Sequence, residues 1–177
     1  ELKVQILAPI VGGAISAAGA PIAQVAKVSA AGLSGATTGT ITTSAGQIAI
    51  AVVAAFGGVA CSETMSDSKS NSWNCDVSND GQASKLAIWC SVLSSVGTLH
   101  TFTITGSAVA ISVSTYSGTA GACSSQTSNA NNGGAASLPP GSITPGANGA
   151  LCVTSNWAAQ YAGDYDWAVT SGYTLIH

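Results

Sequence analysis

The sequence predicts an all-β protein, a β-sandwich of jelly-roll type with an additional strand on an N-terminal arm. Three observations carry this expectation. Apolar residues recur at every second position through most patterned segments, the signature of a strand with one buried face. Turn-forming Gly, Ser, Asn and Asp interrupt these segments every ten residues or so, too often for helices. One run, Ile48 to Phe56, is apolar throughout, as a strand covered on both faces must be.

In chain order, Leu2, Val4, Ile6, Ala8 and Ile10 alternate with Glu1, Lys3, Gln5, Leu7 and Pro9, which gives an amphipathic strand over 1–10. Gly- and Ala-rich sequence follows, and Gly19-Ala20-Pro21 argues against a continuous helix there. Residues 11–35 are therefore expected to form a flexible leash, so that 1–35 is an arm and 36–177 the sandwich. Thr38–Thr43 and Gln47–Ala55 are expected to pair across Ser44-Ala45-Gly46. A polar hairpin, CSETMSDSKSNSWNC, has its tip near Ser68. Leu86, Ile88, Cys90 and Val92 are expected to point inward from the next strand.

The central stretch is GTLHTFTITGSAVAISVSTYSG, residues 97–118. His100, Phe102 and Ile104 share one face, and after the Gly106-Ser107 turn Val109, Ile111 and Val113 continue it, a hairpin pattern. The opposite face of Thr, Ser and Ala carries no charge, which suits a sheet packed against other copies of itself. Residues 119–149 read as a long surface loop, and Leu151–Trp157 and Trp167–Ile176 as closing strands.

Composition narrows the function. Of 177 residues only 6% are charged, with four Lys, no Arg and a net charge of −3. Nothing here neutralises a row of phosphates, so nucleic acid is excluded as a partner, and polybasic membrane attachment fails likewise. No run reaches the about 20 apolar residues that a membrane span needs. The five cysteines show no metal-binding spacing and point to disulfides in an oxidising, extracellular compartment. Cys61 and Cys75 lie seven residues either side of Ser68 and are expected to bond across the hairpin. Cys123 and Cys152 are the second expected pair, leaving Cys90 a buried free thiol. A start at Glu1 fits a removed signal peptide.

Candidate chemistry is thin. His100 reads as a structural sheet histidine, because no nucleophile in an activating context accompanies it. Asp164 and Asp166 read as a solvated turn in preference to a glycosidase pair or half a calcium site. Asp67, Asn71, Asp76 and Asp80 could hold calcium, but capped turns account for them. Trp73, Trp157, Tyr161, Tyr165 and Trp167 could stack on sugars, but packing accounts for them. No catalytic residue, metal or cofactor is expected.

The series SDSKSNSW, GTLHTFTITGS and SITPGANGALCVT resembles a jelly-roll-like β-sandwich domain of secreted bacterial surface proteins and phage-related structural proteins. That domain's pattern runs DxxxNxW, GxxHTFT, ITPxxxGxLxV, and the resemblance covers about residues 37–176. It implies the fold and a structural or adhesive role, with no catalytic residue. The resemblance also implies a further apolar strand beyond Gly172-Tyr173-Thr174, and the sequence stops at His177. A sandwich short of one strand offers a groove, and the strand 1–10 could fill a neighbour's groove or its own.

The expected function is thus an extracellular filament or pilus subunit, a head-to-tail homopolymer joined by donor strand Leu2, Val4, Ile6, Ala8 and Ile10. A virion or phage-tail structural protein, and a carbohydrate-binding or adhesive module with a glycan or host-surface contact, are the alternatives.

Overall fold

The computed structural model describes residues 5–8, 22–56, 61–80, 84–106, 109–119, 123, 154–156 and 174–176. These residues contain strands and no helix. In order the strands are β1 (Gln5–Ala8), β2 (Ala23–Gly32), β3 (Ala36–Thr37), β4 (Ile41–Thr43), β5 (Ile48–Phe56), β6 (Thr64–Asp67) and β7 (Asn74–Asp80). They continue with β8 (Ser84–Val92), β9 (Gly97–His100), β10 (Phe102–Thr105), β11 (Val109–Ser117), β12 (Thr154–Asn156) and β13 (Thr174–Ile176). Every pairing is antiparallel.

The largest sheet has the order β2-β11-β5-β8-β7. Its middle strand, β5, is the run that is apolar throughout, and residues 48–55 are all buried. A middle strand needs both faces apolar because both face protein. One face meets the three-stranded sheet β3-β10-β6, and between them lies the main core. There Ala49, Ala51, Val53, Ala87, Trp89, Leu93, Val109, Ile111 and Val113 join Met65, Phe102 and Ile104. Alanines on the central strand leave room for the large rings of Phe102 and Trp89. The other face carries a second, smaller cluster of Ile48, Ile50, Cys90 and Tyr116, with Ile88, Val92 and Cys123 against it.

Several expectations need correction. Ala23–Gly32, expected within the flexible leash, is a strand paired with β11 from Gly32↔Val109 to Ala23↔Ser117. Ala26, Val28 and Ala30 alternate with polar or small neighbours, and that weak pattern suffices beside a strand as regular as β11. The Gly106 turn does not close a hairpin, since β10 and β11 belong to different sheets. It carries the chain from one layer to the other, and a Cβ at Gly106 would lie 2.9 Å from Glu63 Cγ. The Ser44–Gln47 turn does the same, because β4 pairs with β9 while β5 pairs with β8 and β11. Likewise β6 and β7 belong to different sheets and form no hairpin.

The period-two pattern identified His100, Phe102 and Ile104 as buried, but alternation does not distinguish a hairpin from a strand that changes layer. On β8, Ala87, Trp89 and Leu93 face the main core, while Cys90 belongs to the second cluster with Ile88 and Val92 beside it. The charge-free face of β11 is also not left open to other copies. Ala110, Ser112 and Ser114 are buried within the chain, and Gln24 Nε2 donates to Ser114 Oγ at 3.2 Å.

Candidate functional site

Two places in the fold bear on function: a buried polar network at one end of the core, and the sheet that contains the N-terminal strand. The network starts at Asp67, the last residue of β6. Its Oδ1 accepts the backbone N–H of Lys69 at 2.8 Å and of Asn71 at 3.3 Å, and Asn71 Nδ2 donates to it at 3.2 Å. Trp73 Nε1 donates to Oδ2 at 2.8 Å. A carboxylate at the root of a tight turn collects the turn's N–H groups in this way. Asn71 then ties the turn to the segment after β8, accepting from Ser94 N and Ser95 N and donating to Ser95 O.

His100 completes the network from the other side. Its Nε2 lies 3.1 Å from Asp67 Oδ1, and both side chains are wholly shielded from solvent. This contact is within charge-pair distance but off the line of a good hydrogen bond. Its Nδ1 is 2.8 Å from Thr43 Oγ1. The ring stacks on Phe102 at 4.5 Å, and Trp73 meets Phe102 edge-on at 5.8 Å. Three sequence-distant strands, β4, β6 and β9, are thereby held to one point.

The backbone of β9 is shaped for this. Ile41 pairs with His100 and Thr43 with Gly97, so four residues of β9 lie opposite three of β4, a bulge. Leu99 absorbs it with φ 55, in the left-handed region, and stays 71% exposed. The bulge turns His100 inward while its bulky neighbour is left in solvent at a conformational cost.

Burial alone would raise the Asp67 carboxyl, but hydrogen bonds from Trp73 and from the Lys69 and Asn71 backbone, together with the nearby His100 imidazole, outweigh it. The net shift is downward from the usual 3.8. Asp76 moves the other way, raised by burial.

Threonine, imidazole and carboxylate in series resemble a nucleophile, a base and its orienting acid. Here Thr43 is 4% exposed and His100 0%, so no scissile bond can approach the hydroxyl. The arrangement serves as a structural pin. In the sequence its members stand apart, His100 in a strand and Asp67 with Asn71 in a turn. The signal that could have joined them is the DxxxNxW spacing together with His100 two residues before Phe102.

The other candidates divide between placed and unplaced. Of the calcium candidates, Asp67 and Asn71 meet, but the Asp67 oxygens are taken by N–H donors, and Asp76 and Asp80 lie on β7. No group of three or more His, Cys, Asp or Glu suited to a metal occurs among the described residues. Trp73 packs on Phe102. Trp157, Tyr161, Asp164, Tyr165, Asp166 and Trp167 lie outside the described residues.

Cys61 and Cys75 are bonded as expected, with Cα atoms 6.0 Å apart. They do not face each other across a ladder; Cys61 precedes β6 and Cys75 lies on β7, so the bond straps one sheet to the other. The second pairing is corrected. Cys90 is not a free thiol but bonds Cys123, with Cα atoms 5.7 Å apart, and this excludes a Cys123–Cys152 bond. The sequence places Cys90 on an apolar strand face. That face carries the second cluster, and Cys123 packs against it. Cys152 lies outside the described residues.

The N-terminal strand occupies a defined slot. β1 is the middle strand of the sheet β12-β1-β13, with Ile6 opposite Ser155 on one side and Ile176 on the other. Of the expected donor residues, Ile6 and Ala8 belong to β1, whereas Leu2, Val4 and Ile10 lie outside the described residues. Both partner strands belong to the same chain, so within one molecule the arm completes its own sheet.

No helix among the described residues is long and apolar enough to cross a membrane. The described residues form an all-β arrangement of antiparallel sheets, strapped by two disulfides and pinned by a buried Asp–His–Thr network. No family model, curated protein sequence or solved structure matches the chain significantly.

Proposed function

We propose that the protein is a secreted structural subunit of an extracellular filament or pilus, non-enzymatic, with a jelly-roll-like sandwich as its body. Subunits join head to tail by donor-strand exchange through residues 1–10. One observation carries this reading: β1 lies between β12 and β13 and is the hydrogen-bonded neighbour they share. Withdrawing β1 separates two strands that have no other ladder among the described residues, and any strand of the same sequence restores both. The arm of a second copy is such a strand. Residues 9–22 connect β1 to β2, and at about 3.3 Å per residue an extended connection of that length reaches about 45 Å, enough to leave its own molecule. Each donated strand leaves the next slot to be filled, so the contact propagates without closing.

Two supporting features concern the environment. Disulfides persist where thiols are oxidised, outside the cytosol. A surface whose polarity rests on Ser, Thr, Asn and Gln stays hydrated across salt and pH, as a shared extracellular fibre requires.

Electron microscopy of the purified full chain, before and after mild denaturation and slow refolding at high concentration, tests the reading. Fibres that are lost on deletion of residues 1–12 and on Ile6→Asp are the expected result. A chain that stays monomeric with its own β1 docked at every concentration overturns it. Icosahedral or tail-like particles would support the virion alternative.

A further inference from the structure

The edge of the five-stranded sheet offers a second contact, independent of donor-strand exchange. β2 is ten residues long, and its ladder with β11 uses only one side of its backbone; among the described residues no strand pairs with the other. Such an edge is a template for another strand, and proteins that avoid pairing blunt it with charge, proline or irregularity. β2 carries one charge, Lys27, no proline between Ala23 and Gly32, and one irregularity, at Thr115/Tyr116, where Val25 is left without a partner on β11. From Ala26 to Gly32 it runs regularly.

Exposed apolar side chains identify the partner. Among the described residues the large exposed hydrophobics are Val25 at 48%, Leu33 at 88% and Leu99 at 71%. Leu99 is accounted for by the β9 bulge. Val25 lies near the start of β2 and Leu33 directly follows its last residue, Gly32, at equal distances from Ser29. We propose that β2 pairs antiparallel with β2 of a second copy about a two-fold axis at Ser29, joining two five-stranded sheets into one. In this register Val25 of each copy meets Leu33 of the other, so both exposed residues are covered twice over. Lys27 falls opposite Ala31, which keeps the two ammonium groups apart, and Val28 falls opposite Ala30. A partner of unrelated sequence would have no reason to match this symmetry.

The contact is isologous and closes on itself, whereas exchange of β1 is heterologous and propagates. A polymer that carries both is a paired filament, and a chain prevented from exchanging β1 is a dimer.

Cysteine cross-linking in the full chain tests the register, because a denaturing gel reads covalent dimers whether or not filaments form. In Ser29→Cys the introduced thiols face each other across the axis, within the about 4.4–6.8 Å Cα separation that a disulfide needs. In Lys27→Cys they are offset by four residues, about 13 Å along the strands, and cannot bond. Under mild oxidation, Ser29→Cys should run largely as a covalent dimer, while Lys27→Cys and the unsubstituted chain stay at a common baseline. Adding Val25→Lys and Leu33→Lys to Ser29→Cys should cut the dimer by about tenfold, since both positions are exposed and the fold tolerates them. Equal cross-linking at 27 and 29, no cross-linking above baseline at 29, or a yield unaffected by the two lysines each overturns the proposal. Filament formation by the unsubstituted chain is scored separately, so loss of one contact is distinguishable from loss of the other.

Discussion

The main sheet and the sheet around β1 are built from the same kind of pairing but differ in what holds them. β5 pairs with β8 from Ile48↔Val92 to Phe56↔Ser84 and with β11 on its other side, and both of its faces are buried. That body is also strapped by two disulfides and pinned through Asp67 and His100. β1, by contrast, is four residues long and pairs with three residues on each side. Opening β5 requires the whole core to come apart, whereas opening β1 breaks two ladders of three residue pairs each, with hydrogen bonds at about 0.5–1.5 kcal/mol each. A subunit that exchanges a strand needs this inequality, a body that survives while one strand leaves.

Amide exchange measures the inequality directly. Amides of β5 should exchange only with global unfolding, and those of Gln5–Ala8 about a thousandfold faster or more. Equal protection in the two strands would remove the basis for strand exchange.

Weakening the body is the next test. Phe102 is 0% exposed and lies under both His100 and Trp73, so Phe102→Ala should cost about 3–5 kcal/mol in urea unfolding. The paired substitution Cys90→Ser with Cys123→Ser opens a loop with a sequence separation of 33 and should cost about 3–4 kcal/mol. Peptide mapping without reductant should recover the Cys90–Cys123 link in the parent chain.

Asp67 gives the body a dependence on pH. Its folded pKa is depressed, so its contribution is fully present above the ordinary carboxylate value and is lost as pH falls through the folded one. Asp67→Asn should cost about 1–3 kcal/mol at neutral pH and flatten the fall in stability on acidification. A parallel acid profile in parent and variant would assign the acid sensitivity to other groups.

The smallest effect has the opposite sign. Leu99 holds φ 55 and is largely in solvent, so Leu99→Gly should stabilise by about 1 kcal/mol, read as a rise in Tm. Loss of stability there would mean that the leucine side chain packs on something in the assembled state.

The sequence alone determined many of the strands, though not Ala23–Gly32, and the buried side of Phe102 and Ile104, because period-two alternation is a local consequence of the pleat. It also determined that β5 is central, since only a strand covered twice can be apolar throughout. The Cys61–Cys75 bond followed from a symmetry that happened to survive even though its hairpin does not exist. Tertiary structure decided the rest. Whether Gly106 and Ser44–Gln47 fold a strand back or send it to the other layer depends on what lies above it, and no local pattern carries that. The destination of Cys90 and the membership of Ala23–Gly32 in the sheet were decided by β11, whose second face and open edge accept distant segments. The joining of Thr43, Asp67 and His100 was decided by the β9 bulge, which breaks the very alternation from which the strand was read. Burial is written residue by residue, but which buried surfaces meet is a property of the whole chain, because many pairings satisfy the same alternation and only their combined packing selects one.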